Sequence, residues 1–253
     1  MPWHRPFCFP FRDLEAVMKD EFLQNGIRLV QSEALFRLGT DAMVLADFAK
    51  PDRGCKICDL CAGAGAVGLL LLAEDPELCL TAVEIQAEAC ALLRQSAEKS
   101  GVSGRVTVLQ TDLRQLDALP AGKFRHVVCN PPYYPVGAGF AAENEAVAVA
   151  KTELCCTLPD VAAAAARLLR TGGSLWIVHK PERLADLVCA LREKALEPKL
   201  LRPVCPRPGA APSLLLLRAV RGGKPGVKWE APLVLADESG APTEEYKRIY
   251  HLA

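Results

Sequence analysis

The sequence predicts an α/β fold: a doubly wound, mostly parallel sheet with an antiparallel C-terminal hairpin, extended by a short hairpin on the N-terminal side. Three observations predict it. Short apolar runs alternate with helical segments over residues 51–198, joined by short links, the pattern of a parallel sheet with helices on both faces. A glycine-rich turn, CAGAGAVG, directly follows the first apolar run of that series. After Pro198 the alternation stops, and KLLRPVCPR and PSLLLLRAV follow each other with no helix between them, as an antiparallel pair would.

The elements can be justified in order. Residues 1–21 open with MPWHRPFCFPFRD, where prolines and charges break any apolar signal segment, so a loosely ordered leader is expected. Residues 22–50 carry a hairpin and a helix. GIRLVQSEALFRLGT (26–40) alternates like two short strands, and TDAMVLADFAK reads as a helix capped by Thr40 or Asp41. Residues 51–221 form the main domain. CKICDL is a buried strand, followed by the glycine turn and a helix; LCLTAVEI is a second strand, followed by a helix that stops at Gly101. RVTVLQ is a third strand, with TDLRQLDALP a short helical or loop segment, and KFRHVVC a fourth, leading into NPPYY. LPDVAAAAARLLRTGG is a helix ended by Gly172 and Gly173, SLWIVHK a strand, and PERLADLVCALREKAL a helix with Pro181 near its start. Residues 222–253, rich in Gly, Pro and charge, are a tail packing on the domain.

Composition narrows the class. With 253 residues, 51% hydrophobic, the chain can bury one sizeable core. No apolar run approaches the ~20 residues that span a bilayer. Eleven cysteines, an odd number, without an export signal fit a reduced cytoplasmic compartment. CKICDLC (Cys55, Cys58, Cys61) resembles a metal motif, but no second Cys/His pair at a matching spacing completes four ligands, so no metal is expected. Formal charge balances at 30 basic and 30 acidic residues, which neither demands nor excludes nucleic acid. The stretch 199–228 holds Lys199, Arg202, Arg207, Arg218, Arg221, Lys224 and Lys228 and no acid. It is either a solvated rim or a phosphate-facing surface.

The chemistry gathers at strand ends, where open α/β sheets bind ligands. Asp59 ends the first strand of the domain, and Gly63 and Gly65 let the backbone after it approach a ligand closely. Glu84 ends the second strand, where a carboxylate can accept ribose hydroxyls. Asp112 follows the third and could accept from an adenine amine. Together they outline a nucleoside pocket. The run G-A-G-A-V-G formally fits the dinucleotide pattern G-x-G-x-x-G. Two features favour S-adenosylmethionine instead: Asp59 precedes the glycines, placed to meet a cationic aminoacyl tail, and NPPY ends the fourth strand, where a transferred methyl group would arrive. Asp41 is either a helix cap or a further residue near the cofactor.

In these residues the sequence resembles the class I S-adenosylmethionine-dependent methyltransferases, whose Rossmann-like sheet the fold reading matches. NPPY (Asn130, Pro131, Pro132, Tyr133) is their motif for methylating nitrogen conjugated to a ring or carbonyl. The resemblance is closer to the bacterial family that methylates the exocyclic amine of adenine 37 in valine tRNA. It is carried by GIRLVQSEALFRLGTDAMVLADFA, DLCAGAGAVGLLL, NPPYY, RLLRTGGSLWIVHKPERL, RPVCPRPGAAPSLLLL and TEEYKRIYH. The resemblance implies catalysis by Asn130, Pro131, Pro132 and Tyr133, with S-adenosylmethionine held by Asp59, Gly63, Gly65, Glu84, Asp112, Asn130 and Asp41. It also implies a single-stranded tRNA loop as partner, for which Lys199, Arg202, Arg207 and Arg218 are the candidate contacts. Two departures stand out: Cys61 replaces the first glycine of the usual cofactor loop, and Lys151-Thr152 stand where Arg-His is expected.

An aromatic amine is a poor nucleophile because its lone pair spreads into the ring. The Asn130 side-chain carbonyl and the Pro131 backbone carbonyl can each accept one amine hydrogen, and the prolines fix both acceptors in advance. Tyr133 can stack on the base. The same motif serves protein glutamine N5-methyltransferases and rRNA guanine-N2 methyltransferases. The glutamine enzymes carry a separate N-terminal helical domain, which is not evident here. A dehydrogenase lacks any reason for NPPY, and a non-catalytic RNA-binding protein lacks any reason to keep the main site positions.

Overall fold

A computed structural model describes residues 18–32, 38–134 and 156–252. Strands β1 (Met18–Phe22) and β2 (Arg28–Ser32) pair antiparallel. The turn between them holds Asn25 and Gly26, both at positive φ (51° and 78°). Asn-Gly accepts that conformation readily, and it suits the twist of a hairpin. The hairpin therefore begins earlier than the alternation of residues 26–40 suggests. Its first strand lies mostly in the stretch read as leader, and residues 33–37 fall outside the described part.

Helix α1 (Thr40–Phe48) leads to the main sheet. There follow β3 (Lys56–Leu60), α2 (Ala66–Glu74), β4 (Cys79–Glu84), α3 (Ala87–Lys99), β5 (Val106–Gln110) and β6 (Phe124–Cys129). Beyond residues 135–155 come α4 (Leu158–Leu168), β7 (Leu169–His179), α5 (Leu184–Glu193), β8 (Leu196–Cys205) and β9 (Leu214–Arg221). The chain closes with β10 (Lys228–Trp229), β11 (Leu233–Val234) and α6 (Glu244–Tyr250). The sheet runs β10-β8-β9-β7-β6-β3-β4-β5, with β11 also paired to β8. Pairing is parallel from β7 through β5 and antiparallel at β7–β9 and β8–β9. This is the doubly wound sheet with a C-terminal hairpin that the sequence predicts.

Alternation along the strands explains the two faces. Ile57, Leu80, Val128 and Val178 join one apolar cluster, covered by α1, α2 and α3. Their neighbours Cys58, Val83, Val127 and Ile177 join a second cluster with α4 and α5. Both clusters are almost wholly shielded from water.

The expected helix end at Gly172 and Gly173 is not where the chain turns. Helix α4 stops at Leu168 and β7 starts at the next residue. A side chain at Gly173 would meet the Arg170 and Arg125 carbonyl oxygens at 2.9 and 3.0 Å. The glycine is needed for close passage of two strands, and the register shifts at this place between Phe124 and His126. The tail also holds more structure than its composition suggests. Thr243 caps α6 by accepting from the Tyr246 N–H, with Glu244 and Glu245 in the first turn and Lys247 and Arg248 in the last. Among the described residues no helix is long and apolar enough to cross a membrane.

Candidate active site

The carboxyl ends of the parallel strands β3, β4, β5, β6 and β7 share one edge of the sheet, so Asp59, Glu84, Asp112 and Asn130 share it too. Between β3 and α2 the loop bends through three residues at positive φ: Cys61 (57°), Gly63 (55°) and Gly65 (90°). At Gly65 a side chain would stand 2.2 Å from Leu93 Cδ1. Cys61 adopts a conformation that favours glycine, and its Sγ lies 3.9 Å from that of Cys156. The described cysteines are all free thiols.

Asp59 does not face an open cleft. It is 1% exposed, and its Oδ2 accepts from the Gly68 N–H at 3.1 Å. Burial pushes its carboxyl up to about 8, opposed by the Gly68 hydrogen bond and reinforced by the Glu84 charge. The folded-state value lies above the unfolded one. Its contribution to stability is therefore complete at low pH and is lost as pH rises from near 3.8 to about 8. Asp59→Asn cannot ionise, so the Tm of the variant minus that of wild type should climb between pH 4 and pH 8. A flat difference over that range would mean that Asp59 is ionised throughout.

Glu84, 6% exposed, is the anchor of the loop. Its Oε2 accepts from the Gly63 N–H at 2.8 Å, and its Oε1 from Ile85 and Gln86 at 2.9 Å each. Burial raises its carboxyl above the usual range against these three bonds. A carboxylate offers about four lone-pair positions, so one acceptor position remains on Oε2 for a hydroxyl. Ile85, 39% exposed, sets an apolar side chain beside it, suited to the face of a purine. Asp112 is engaged by Arg114, whose Nε and Nη2 lie 2.9 and 2.5 Å from its two oxygens. Burial works against ionisation there, but Arg114 holds the carboxyl below its ordinary range. An incoming amine would share Asp112 with that guanidinium.

At the end of β6, Pro131 and Pro132 are buried while Asn130 and Tyr133 are half-buried. The Tyr133 hydroxyl lies 2.6 Å from Asn130 Oδ1 and 3.0 Å from Asp41 Oδ2. Asp41 is thus brought to the NPPY elbow. Burial and the Asp41 carboxylate hold the Tyr133 phenol well above its ordinary range. The His179 and Tyr133 rings meet in a T-shaped contact, centroids 5.2 Å apart, and Lys180 Nζ stands 5.6 Å from the Tyr133 ring centroid. Arg183 donates to the Tyr133 backbone carbonyl at 3.5 Å. Ile85 was not singled out by sequence reasoning, and His179, Lys180 and Arg183 entered only within the stretch RLLRTGGSLWIVHKPERL, without a site role. An apolar residue directly after a strand-end acid is a usable signal for Ile85, and HKPER at the end of β7 is one for the other three.

The basic stretch does not form one open surface. Lys199 donates to the Lys224 and Gly226 carbonyls, Arg202 bonds Glu245 at 2.7 Å, and Arg218 lies over the Trp176 ring and donates to Ser174. Of the four candidates, only Arg207 is exposed, on the loop after β8. Lys151 and Thr152 lie outside the described residues.

The family model described as the methyltransferase small domain matches residues 30–191, more than half of the chain. The chain belongs to the methyltransferase small domain family. As a member, it is an enzyme of methyl transfer. Curated relatives include a tRNA1(Val) (adenine(37)-N6)-methyltransferase of Parabacteroides distasonis, 29% identical over 72% of this chain and 75% of the relative. One of that description from Histophilus somni is 24% identical over 91% of this chain and 95% of its own length. Among solved structures, this methyltransferase is similar to a predicted O-methyltransferase from Agrobacterium tumefaciens, with TM-score 0.69 and 27% identity over 84% of this chain and 96% of that one. A geranyl diphosphate methyltransferase solved in complex with SAM shares the fold, with TM-score 0.53 and 14% identity over 71% and 84% of the two chains.

Proposed function

We propose that this methyltransferase transfers a methyl group from S-adenosylmethionine to the exocyclic N6 of adenine in a single-stranded tRNA loop, adenine 37 of valine tRNA. The observation that carries the reading is the rigid Asn130-Pro131-Pro132-Tyr133 elbow at the end of β6, next in the sheet to the β3 strand whose loop Glu84 anchors. The names of the curated relatives support the substrate.

When bound, S-adenosylmethionine supplies a methyl group that is already strongly electrophilic. The residues present fit such a nucleoside: Glu84 keeps an acceptor position for a ribose hydroxyl, Ile85 offers an apolar wall, and Gly63 and Gly65 let the backbone come close. The chain's remaining task is to orient the amine. Asn130 Oδ1 and the Pro131 carbonyl each accept one amine hydrogen, which keeps the nitrogen lone pair out of the ring and aimed at the methyl group. A base reaches this elbow only when unstacked, which a single-stranded loop makes inexpensive. Arg207, exposed beyond β8 at the same end of the sheet, is the residue of the basic stretch best placed to meet phosphate.

The test is incubation with labelled S-adenosylmethionine and total tRNA, followed by nucleoside analysis. Label in N6-methyladenosine is expected. Unlabelled tRNA, or label in guanosine or in protein glutamine, overturns the reading.

A further inference from the structure

Asn130 Oδ1, the acceptor meant for the amine, is already in contact with a donor. The Tyr133 hydroxyl has one proton and two oxygens within reach, Asn130 Oδ1 at 2.6 Å and Asp41 Oδ2 at 3.0 Å. It can bond only one of them at a time. With its proton on the Asn130 side, the hydroxyl occupies the carbonyl that the amine must find. With its proton on the Asp41 side, two oxygens 2.6 Å apart face each other without a hydrogen between them. That arrangement is relieved when another donor, such as an amine hydrogen, reaches Asn130.

The seat of Asp41 is specifically built. Its Oδ1 accepts from the Ala42 N–H at 2.9 Å, in the first turn of the nine-residue α1, which leaves Oδ2 for Tyr133. A side chain on Gly39 would lie 2.4 Å from that Oδ1, so glycine there is what gives the carboxylate room. His179 and Lys180 both contact the Tyr133 ring, which helps to fix its place beside the two acceptors.

We propose that Asp41 is a positioning residue for methyl transfer: it takes the Tyr133 hydroxyl bond and so releases Asn130 Oδ1 to accept the target amine. This rests on the amine-methylating function proposed above. A carboxylate is a stronger acceptor than an amide carbonyl, so the displaced hydroxyl loses no hydrogen bond when the amine arrives. The role differs from cofactor binding, because it acts only through the Tyr133 hydroxyl.

That dependence gives the test. Single-turnover methylation of a tRNA transcript would be measured for wild type, Asp41→Asn, Tyr133→Phe and the double variant, beside titration with S-adenosylhomocysteine. Asp41→Asn should slow transfer on the order of tenfold, the cost of one weakened hydrogen bond, with S-adenosylhomocysteine affinity kept. Adding Tyr133→Phe should speed the slow variant up, since no hydroxyl remains to cover Asn130. A double variant as slow as Asp41→Asn, an Asp41→Asn variant at the wild-type rate, or a loss of affinity matching the loss of rate would overturn the proposal while the function stands. A wild-type protein that leaves the transcript unmethylated overturns both.

Discussion

Asn130→Ala is expected to lower methyl transfer on the order of 10²-fold or more, the usual scale for removing one preplaced partner of a transition state. Affinity for S-adenosylhomocysteine should be largely kept, because Asn130 directly follows β6 while the loop anchor Glu84 ends β4. On the proposed mechanism, removing the amide deletes the acceptor that localises the amine lone pair, while the Pro131 carbonyl would still hold one of the two amine hydrogens. Tyr133→Ala should instead weaken base docking, seen as weaker tRNA binding, and Tyr133→Phe should lose less than Tyr133→Ala because the ring survives. Single-turnover rates beside cofactor titration separate these effects. An Asn130→Ala variant that methylates at the wild-type rate would show that the amine is held elsewhere.

Glu84→Ala carries the second large effect. Three backbone N–H groups, those of Gly63, Ile85 and Gln86, lose their acceptor at a position 6% exposed. A fully buried donor left without a partner costs about 1–3 kcal/mol, and these three, part-buried, cost less because water can reach them. The loop held by Gly63 is released, and the hydroxyl acceptor goes with it. We expect S-adenosylhomocysteine affinity to fall on the order of 10²-fold and Tm to fall in the free protein as well. Glu84→Gln keeps one acceptor oxygen but turns an NH2 towards the same donors, so it should fall between. Calorimetric titration decides: wild-type affinity in Glu84→Ala would mean that the nucleoside does not use this carboxylate.

The sheet was legible because its signal is local. The inner strands of the parallel series are short apolar runs buried on both faces, which leaves little polar stripe to confuse them, and the edge strand β5 keeps enough apolar character to be read. The strand-end placement of Glu84 and Asn130 was legible for the same reason, since a strand end is a place that sequence marks. What escaped depends on residues far apart. Tyr133 and Asp41 meet across 92 positions, and no spacing announces that pair. The basic stretch looked continuous, but partners from elsewhere engage it, as when Glu245 bonds Arg202. Alternation along β8 and β9 also sends neighbouring residues to opposite faces. Glycine misled in one place and was overlooked in another. Gly173 read as a helix stop but serves a close strand approach, whereas Asn25-Gly26, a strong hairpin signal, lay hidden beside a longer alternating stretch.

The tail strands β10 and β11 line up against β8 at residues 200–201 and 204–205. Without them β8 would be a bare border of the sheet, with a row of unpaired amide and carbonyl groups next to an apolar interior. Such a border recruits strands from other molecules. Residues 228–229 and 233–234 therefore cover part of that edge, and α6 is tied to the body through the Arg248–Asp47 ion pair at 2.7 Å.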